Sequence, residues 1–393
     1  MQVQRTMEAA QQEFRPRMVD LEQQYLRLKS DIDAALAAAV AGSRYINGPE
    51  VGLFAQELGA ALGGIDVLPC GNGTDALQLA LMALELQPGD EVITTAFSFA
   101  ATAEVIALLG LKPVFADIDP QTFNIDPASV AALIGPRTRV LLPVHLFGQA
   151  ADMEALMELA EAHQLWVVED VAQALGATCR FRGREQALGT IGHIGCTSFF
   201  PSKNLGGFGD GGACFTRQAH LAQRIRSLAT HGSEQQYLHT RIGINSRLDT
   251  LQAAILRVKL PHLNDFIARR RAVAAVYQQE LGHCPLLTLP LEQSGAMHSY
   301  NQYTLRVARG QRAALQERLA AAGLPSRIYY PLALHQQPAF AALAGPVALP
   351  QAEAASREVL SLPMHTEMLP GEAAYIARIV RRCAEECALN PSL

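Results

Sequence analysis

Long hydrophobic runs, paired cysteines and an excess of positive charge are all missing from this 393-residue chain. The longest apolar run near its start, Ala34 to Ala41, is about a third of what a bilayer span needs, so no transmembrane segment is expected. The stretch before Met18 carries Arg5, Glu8, Glu13, Arg15 and Arg17 and no apolar core of signal-peptide length, which predicts a cytoplasmic protein. The cysteines at 70, 179, 196, 214, 284, 383 and 387 form no C-x-x-C pair, a usage that suits reduced thiols. Cys383 and Cys387 share a helical face, but no histidine or cysteine follows to complete a metal site. Two small residues facing a core are the expectation, and no metal is predicted. A formal net charge of -5 and a pI of about 6.1 give no global positive field to recruit nucleic acid or an anionic membrane. A small-molecule partner is expected instead. The chain has no G-x-x-x-x-G-K-[ST] loop. Gly207 to Gly212 formally matches G-x-G-x-x-G, but Ala213-Cys214-Phe215-Thr216 follows and reads as a strand, where a dinucleotide fingerprint opens a helix. Internal repeats and low-complexity segments are also lacking.

What is present is an alternation. Glu91-Thr95, Pro113-Ile118, Val140-Phe147, Trp166-Val171, Cys196-Phe200 and Gly212-Thr216 read as short β-branched apolar strands. Between them, Thr74-Leu86, Thr102-Leu109 and Met153-Leu165 repeat apolar residues at helical spacing. This predicts an α/β fold with a mainly parallel sheet and helices on both faces, whose ligands bind at the carboxyl ends of strands. A helical pattern from Ser246 to about Leu281, interrupted at Pro261, would bridge to a smaller unit. In that unit an extended Gln302-Val307, a helix over Arg312-Ala322, a loop at Tyr329-Pro331 and a helix over Gly371-Ala388 make an α+β arrangement. The expected division is an extension over 1–17, a large α/β domain with N-terminal helices over 18–260, and a small C-terminal α+β domain over 261–393.

Several candidate functional residues stand at predicted strand ends. Lys203 follows Cys196-Phe200 and precedes the glycine-dense Gly206-Gly212, and a partly buried lysine can form a Schiff base with a carbonyl compound such as pyridoxal phosphate. Asp170 closes the apolar run Trp166-Val167-Val168-Glu169-Asp170 and can pair with a protonated pyridine nitrogen, or simply cap the next helix. Gln173, one turn on, can reach a ring oxygen. Cys70-Gly71-Asn72-Gly73-Thr74-Asp75 precedes a helix, so free N–H groups and the Thr74 hydroxyl could meet a phosphate. The alternative is a plain cap by Thr74 or Asp75. Phe99 can stack on a planar ring or pack in the core.

These pieces, in this order, resemble the DegT/DnrJ/EryC1/StrS sugar aminotransferases among the fold-type I pyridoxal phosphate enzymes. The resemblance also rests on Met18-Val19-Asp20-Leu21, Tyr45-Ile46-Asn47-Gly48-Pro49-Glu50 and Gly243-Ile244-Asn245-Ser246-Arg247-Leu248-Asp249. It implies that Lys203 holds the cofactor and moves a proton, that Asp170 pairs with the pyridine nitrogen, and that Gln173 contacts the ring hydroxyl. It further implies that Phe99 stacks on the ring, that Thr74, Asp75 and Ser198 hold the phosphate, and that Asn245 reaches it from the partner chain of a homodimer. Relatives that remove a hydroxyl carry histidine where this chain has Lys203. The implied reaction takes an amino group from glutamate to a keto group of a nucleotide-linked sugar. His231 to Gln252 and Ser361-Leu362-Pro363-Met364-His365 resemble enzymes aminating C3 of a UDP-linked 2-acetamido-3-keto-uronic acid for bacterial surface polysaccharides such as lipopolysaccharide O-antigen. A C3 aminotransferase for dTDP-linked 3-keto-6-deoxyhexoses is the alternative, and a non-catalytic binding or regulatory protein is the alternative of another class. A uronic acid needs a cation near its carboxylate, for which His239, Arg241, Arg247 and His335 are candidates, and Tyr329 and Tyr330 are candidate sugar-site residues.

Overall fold

The computed structural model describes residues 15–235 and 237–389, and most of the N-terminal extension expected over 1–17 lies outside them. Seven strands form the central sheet: β1 Asp66–Cys70, β2 Glu91–Thr95, β3 Lys112–Ala116, β4 Thr138–Leu142, β5 Trp166–Asp170, β6 Ile194–Ser198 and β7 Gly212–Thr216. Their spatial order is β1-β7-β6-β5-β4-β2-β3. β6, β5, β4, β2 and β3 run parallel, whereas β7 pairs antiparallel with both β6 and β1. The segment from Phe199 to Gly211 contains no crossover helix, so the chain returns beside β6 in the opposite sense. Strand β1 has no counterpart in the sequence reading, because Pro69 and two glycines close by weaken its strand pattern.

Alternation along the strands sends side chains to two different cores. Leu141 and Val167 join one cluster with Phe54 and Leu58, while Val140, Leu142 and Val168 join another with Leu77, Ala80 and Ile225. Helix α1 Leu21–Gly42 packs on later helices rather than on the sheet, and α2 Pro49–Ala61 covers the first face. The second face is covered by α3 Gly73–Ala83 and α4 Ala101–Leu108, and the first again by α5 Met153–His163. Helix α6 Ala219–Leu228 returns to the second face.

The expected strand Val140-Phe147 ends at Leu142, and Leu146–Gly148 is a single 3-10 turn. Pro143 has no N–H to extend the ladder, and Phe147 turns into the left-handed region at φ 59°. The helical pattern from Ser246 begins later, as α7 Thr250–Lys259; a 3-10 turn over Leu260–His262, at Pro261, separates it from α8 Leu263–Leu281. The expected domain boundary at 260 falls in that turn.

Beyond it, β8 Leu287–Thr288, β9 Tyr303–Val307 and β10 Val359–Leu362 form an antiparallel sheet in the order β8-β9-β10. Helices α9 Arg312–Ala321 and α10 Pro370–Leu389 cover it, and Cys383 and Cys387 point into its core. A further cluster joins Phe97, Phe115 and Phe147 to Leu334, Phe340 and Val359, so the C-terminal residues pack directly on the end of the central sheet.

Candidate active site

At the carboxyl ends of β2, β5 and β6 a cavity of about 470 Å³ opens, lined by Thr74, Phe99, Asp170, Gln173, Ser198, Lys203, Tyr329 and Tyr330 among others. These eight residues, all singled out from the sequence, therefore come together although they span more than half the chain. The parallel strands explain this, since each ends at the same edge and hands its next residue to the same space.

Asp170 is the last residue of β5 and is 7% exposed. Its Oδ1 accepts from the Ala172 N–H at 3.1 Å and its Oδ2 accepts from the Thr102 hydroxyl at 3.1 Å. It thus closes a local turn and presents a carboxylate to the cavity; the alternative of a helix cap fails, because residues 172–176 form turns and no helix follows β5. Burial pushes its carboxyl above the ordinary range, while the Ala172 N–H, nearby Lys203 and the Thr102 hydroxyl act against that. Lys203 shows the matching effect: burial holds its ammonium below the ordinary range and the Asp170 charge opposes it. A lysine so placed releases its proton more easily than one in water, which is what an imine-forming amine requires.

The Lys203 segment is fixed from behind. Asn204, 2% exposed, donates to the Leu175 carbonyl at 3.1 Å and to Ser299 Oγ at 2.9 Å. Asn301 donates to the Ser202 carbonyl at 3.3 Å and to Asn204 Oδ1 at 3.2 Å.

Helix α3 opens on the cavity. Its cap is Asn72, whose Oδ1 accepts from the Asp75 N–H at 2.8 Å, so neither Thr74 nor Asp75 serves as the cap. Asp75 instead accepts from Ser246 Oγ at 2.6 Å, tying the helix to the loop before α7. The N–H groups of Gly73 and Thr74 remain at the helix start beside Ser198. A Cβ on Gly73 would stand 2.7 Å from Ser198 Cβ, so only glycine lets these two backbones approach. Phe99, 59% exposed, stands over the opening with its ring tilted against Tyr330 at 6.3 Å.

The remaining candidates lie elsewhere in the single chain. Asn245 is exposed and bridges Thr230. Arg247 lines a separate cleft of about 720 Å³ along α2, β1 and α6. His239 meets the His231 carbonyl at 2.9 Å and Arg241 pairs with Glu234 at 3.3 Å. His335 is buried against Glu353 at 3.3 Å. Thr102, Ser98 and Asn72, which the sequence reading left unassigned, are brought in by the fold. The asparagine between two glycines was a cap signal, whereas nothing marked Thr102, 68 residues before its partner.

The model of the family described as the DegT/DnrJ/EryC1/StrS aminotransferase family matches residues 27–381. The chain belongs to that family. The UDP-2-acetamido-2-deoxy-3-oxo-D-glucuronate aminotransferase of Pseudomonas aeruginosa is 45% identical over 88% of this chain and 94% of its own length. The dTDP-3-amino-3,4,6-trideoxy-alpha-D-glucose transaminase of Streptomyces venezuelae is 41% identical over 93% and 96%. Among solved structures, S. venezuelae DesV in complex with a ketimine intermediate superposes with a TM-score of 0.91 at 40% identity, covering 94% of this chain and 99% of DesV. This family member is a pyridoxal phosphate-dependent sugar aminotransferase of fold type I. The site fits that cofactor: a glycine-enforced helix start able to meet a phosphate, a buried carboxylate and a lysine of lowered basicity all line one cavity.

Proposed function

We propose that this aminotransferase moves an amino group from glutamate to the C3 keto group of a UDP-linked 2-acetamido-3-keto-uronic acid, in the cytoplasm, for a bacterial surface polysaccharide such as O-antigen. The 45% identity to the P. aeruginosa enzyme carries this reading. Pyridoxal phosphate supplies an electron sink and a carrier for the amine between the two half-reactions.

This chain's residues bind and orient it. Thr74, Ser198 and the start of α3 hold the phosphate, Asp170 holds the pyridine nitrogen in its protonated form, Gln173 meets the ring hydroxyl, and Phe99 covers one ring face. Lys203 Nζ holds the cofactor between turnovers and, once released, moves the proton between substrate carbon and cofactor. Lys203 is the one cationic side chain among the described residues that line the cavity. A sugar with a diphosphate and a carboxylate therefore needs cations from outside that lining. In our reading a second copy supplies them from its 239–247 segment, with His239, Arg241 and Arg247, and adds the neutral Asn245 as a contact to the phosphate, in a homodimer. Tyr329 lines the sugar side.

Transfer to C3 of a dTDP-linked 3-keto-6-deoxyhexose is the second reading, favoured by the S. venezuelae relative at 41% identity. A single-turnover experiment separates the two. The protein in its pyridoxamine phosphate form is mixed with each keto sugar, and return of the aldehyde-form absorbance is followed. Return with the UDP-keto-uronic acid alone supports the proposal, and return with the dTDP sugar alone replaces it by the second reading. Lys203→Ala is the control and gives turnover slower by on the order of a thousandfold.

A further inference from the structure

Gln173 is 6% exposed, and both ends of its amide are engaged by residues far away in the chain. Its Oε1 accepts from the Phe147 backbone N–H at 2.7 Å. Its Nε2 donates to the Tyr330 hydroxyl oxygen at 3.1 Å, across 157 residues of sequence. A backbone N–H can only donate, so the end facing Phe147 is the oxygen and the end facing the cavity is the nitrogen. An amide nitrogen carries two hydrogens, and Tyr330 takes one. The second remains for the cavity.

The two partners are themselves held firmly. Phe147 sits at φ 59°, an unfavourable conformation for a side chain of that size, and its ring packs edge-on to Phe97 at 6.5 Å and to Phe123 at 5.7 Å. The Tyr330 ring meets Phe97 edge-on at 6.0 Å and lies tilted against Phe99 at 6.3 Å. Burial pushes the Tyr330 phenol upward, so it stays a neutral hydroxyl able to accept from Gln173. Three separate segments, the turn after β4, the turn after β5 and the C-terminal tyrosine loop, thus fix one side-chain amide.

We propose that Tyr330 is a positioning residue that, with the Phe147 N–H, locks Gln173 so that an amide N–H rather than its oxygen faces the ring hydroxyl of the cofactor. The inference rests on the cofactor reading above. A donor at that position stabilises the ionised ring oxygen, and an acceptor would stabilise the protonated one. Tyr330 thereby sets, through Gln173, how readily the bound cofactor changes protonation. The other titratable groups lining this cavity are Asp170, Lys203, Tyr329 and Asp210.

The test uses the full-length protein loaded with pyridoxal phosphate and reads the pH midpoint of its visible absorbance band, together with cofactor affinity. Four proteins are compared: wild type, Tyr330→Phe, Gln173→Met and the double variant. Tyr330→Phe keeps the ring and its packing, and thermal unfolding checks that the fold is retained. The expected result is a midpoint moved upward by up to about one pH unit in Tyr330→Phe, the equivalent of one net hydrogen bond. Gln173→Met moves it at least as far. In the Gln173→Met background, Tyr330→Phe adds nothing, because its effect passes through the amide. An unchanged midpoint in Tyr330→Phe, or equal shifts with and without Gln173, overturns the proposal. A wild-type protein that shows no visible band with pyridoxal phosphate fails the cofactor reading itself, and this inference with it.

Discussion

At the scale of single residues, two lysines stand near one glycine-rich strap, one half-buried and one fully buried, and they do different work. Lys203 faces the cavity. Lys259, the last residue of α7, is 1% exposed, donates to the Gly206 carbonyl at 2.6 Å and stands 5.6 Å from the Phe208 ring. It clamps the strap three residues beyond Lys203. Burial, with Arg270 and Arg27 nearby, lowers its pKa from 10.5 to about 8. The unfolded chain keeps this proton up to about 10.5 whereas the folded chain releases it near 8, so between those values the unfolded state binds more protons and stability rises with pH. Below about 8 the fold bears the full cost of the buried charge. We expect this group to add on the order of 3 kcal/mol to the unfolding free energy between the two pH values. Denaturant unfolding of wild type and Lys259→Met at both pH values measures it, and an equal rise in the two proteins would assign the effect to other groups. Lys203 and Asp170 could be picked out from strand ends and residue chemistry alone. Tyr330 and Thr102 acquire their roles through partners 157 and 68 residues away, a relation that no local pattern encodes.

At the scale of elements, the start of α3 carries two opposed preferences. Alanine is the better helix former by up to about 1 kcal/mol, so Gly73→Ala would favour the helix taken alone. The added Cβ would meet Ser198 Cβ at 2.7 Å, and a Cβ on the neighbouring strand residue Gly212 would meet the Asn72 carbonyl oxygen at 2.3 Å. Contacts that short force β6 and α3 apart. The expected outcome for Gly73→Ala is a protein of near-normal thermal stability whose pyridoxal phosphate affinity falls by roughly tenfold or more, the equivalent of about 1.4 kcal/mol. Titration of the apo-protein by absorbance checks it. Unchanged affinity would show that the cradle tolerates the displacement. The position of α3 was legible from its apolar spacing. Its cap was not, because Asn72, Thr74 and Asp75 are all competent capping residues and only the backbone path selects Asn72.

At the scale of the whole molecule, the cavity belongs to one chain while Asn245, Arg241 and Arg247 stand outside it. The proposed homodimer, with each site shared between two copies, predicts complementation. Lys203→Ala and Asn245→Ala proteins are each expected to be inactive or nearly so. Mixed under conditions that exchange subunits, they should regain roughly a quarter of wild-type activity, since half of the dimers are hybrids with one intact site of two. Additive residual activity after mixing would place Asn245 and Lys203 of one site in the same chain.

The sequence by itself determined the alternation of strands and helices, the parallel character of the middle of the sheet, and the chemistry of Lys203, Asp170 and the Gly-Thr turn. Those features are local: they depend on spacing, β-branching and the few residue types able to form an imine or hold a charge. The tertiary structure decided the rest. It sent β7 antiparallel beside β6, added β1 at the edge, ended β4 at Pro143, and brought Thr102 to Asp170 and Tyr330 to Gln173. Each of these depends on which distant segments share a face once the two cores are packed. The same packing that closes the cores aims the ends of β2, β5 and β6, the start of α3 and the tyrosine loop into one cavity.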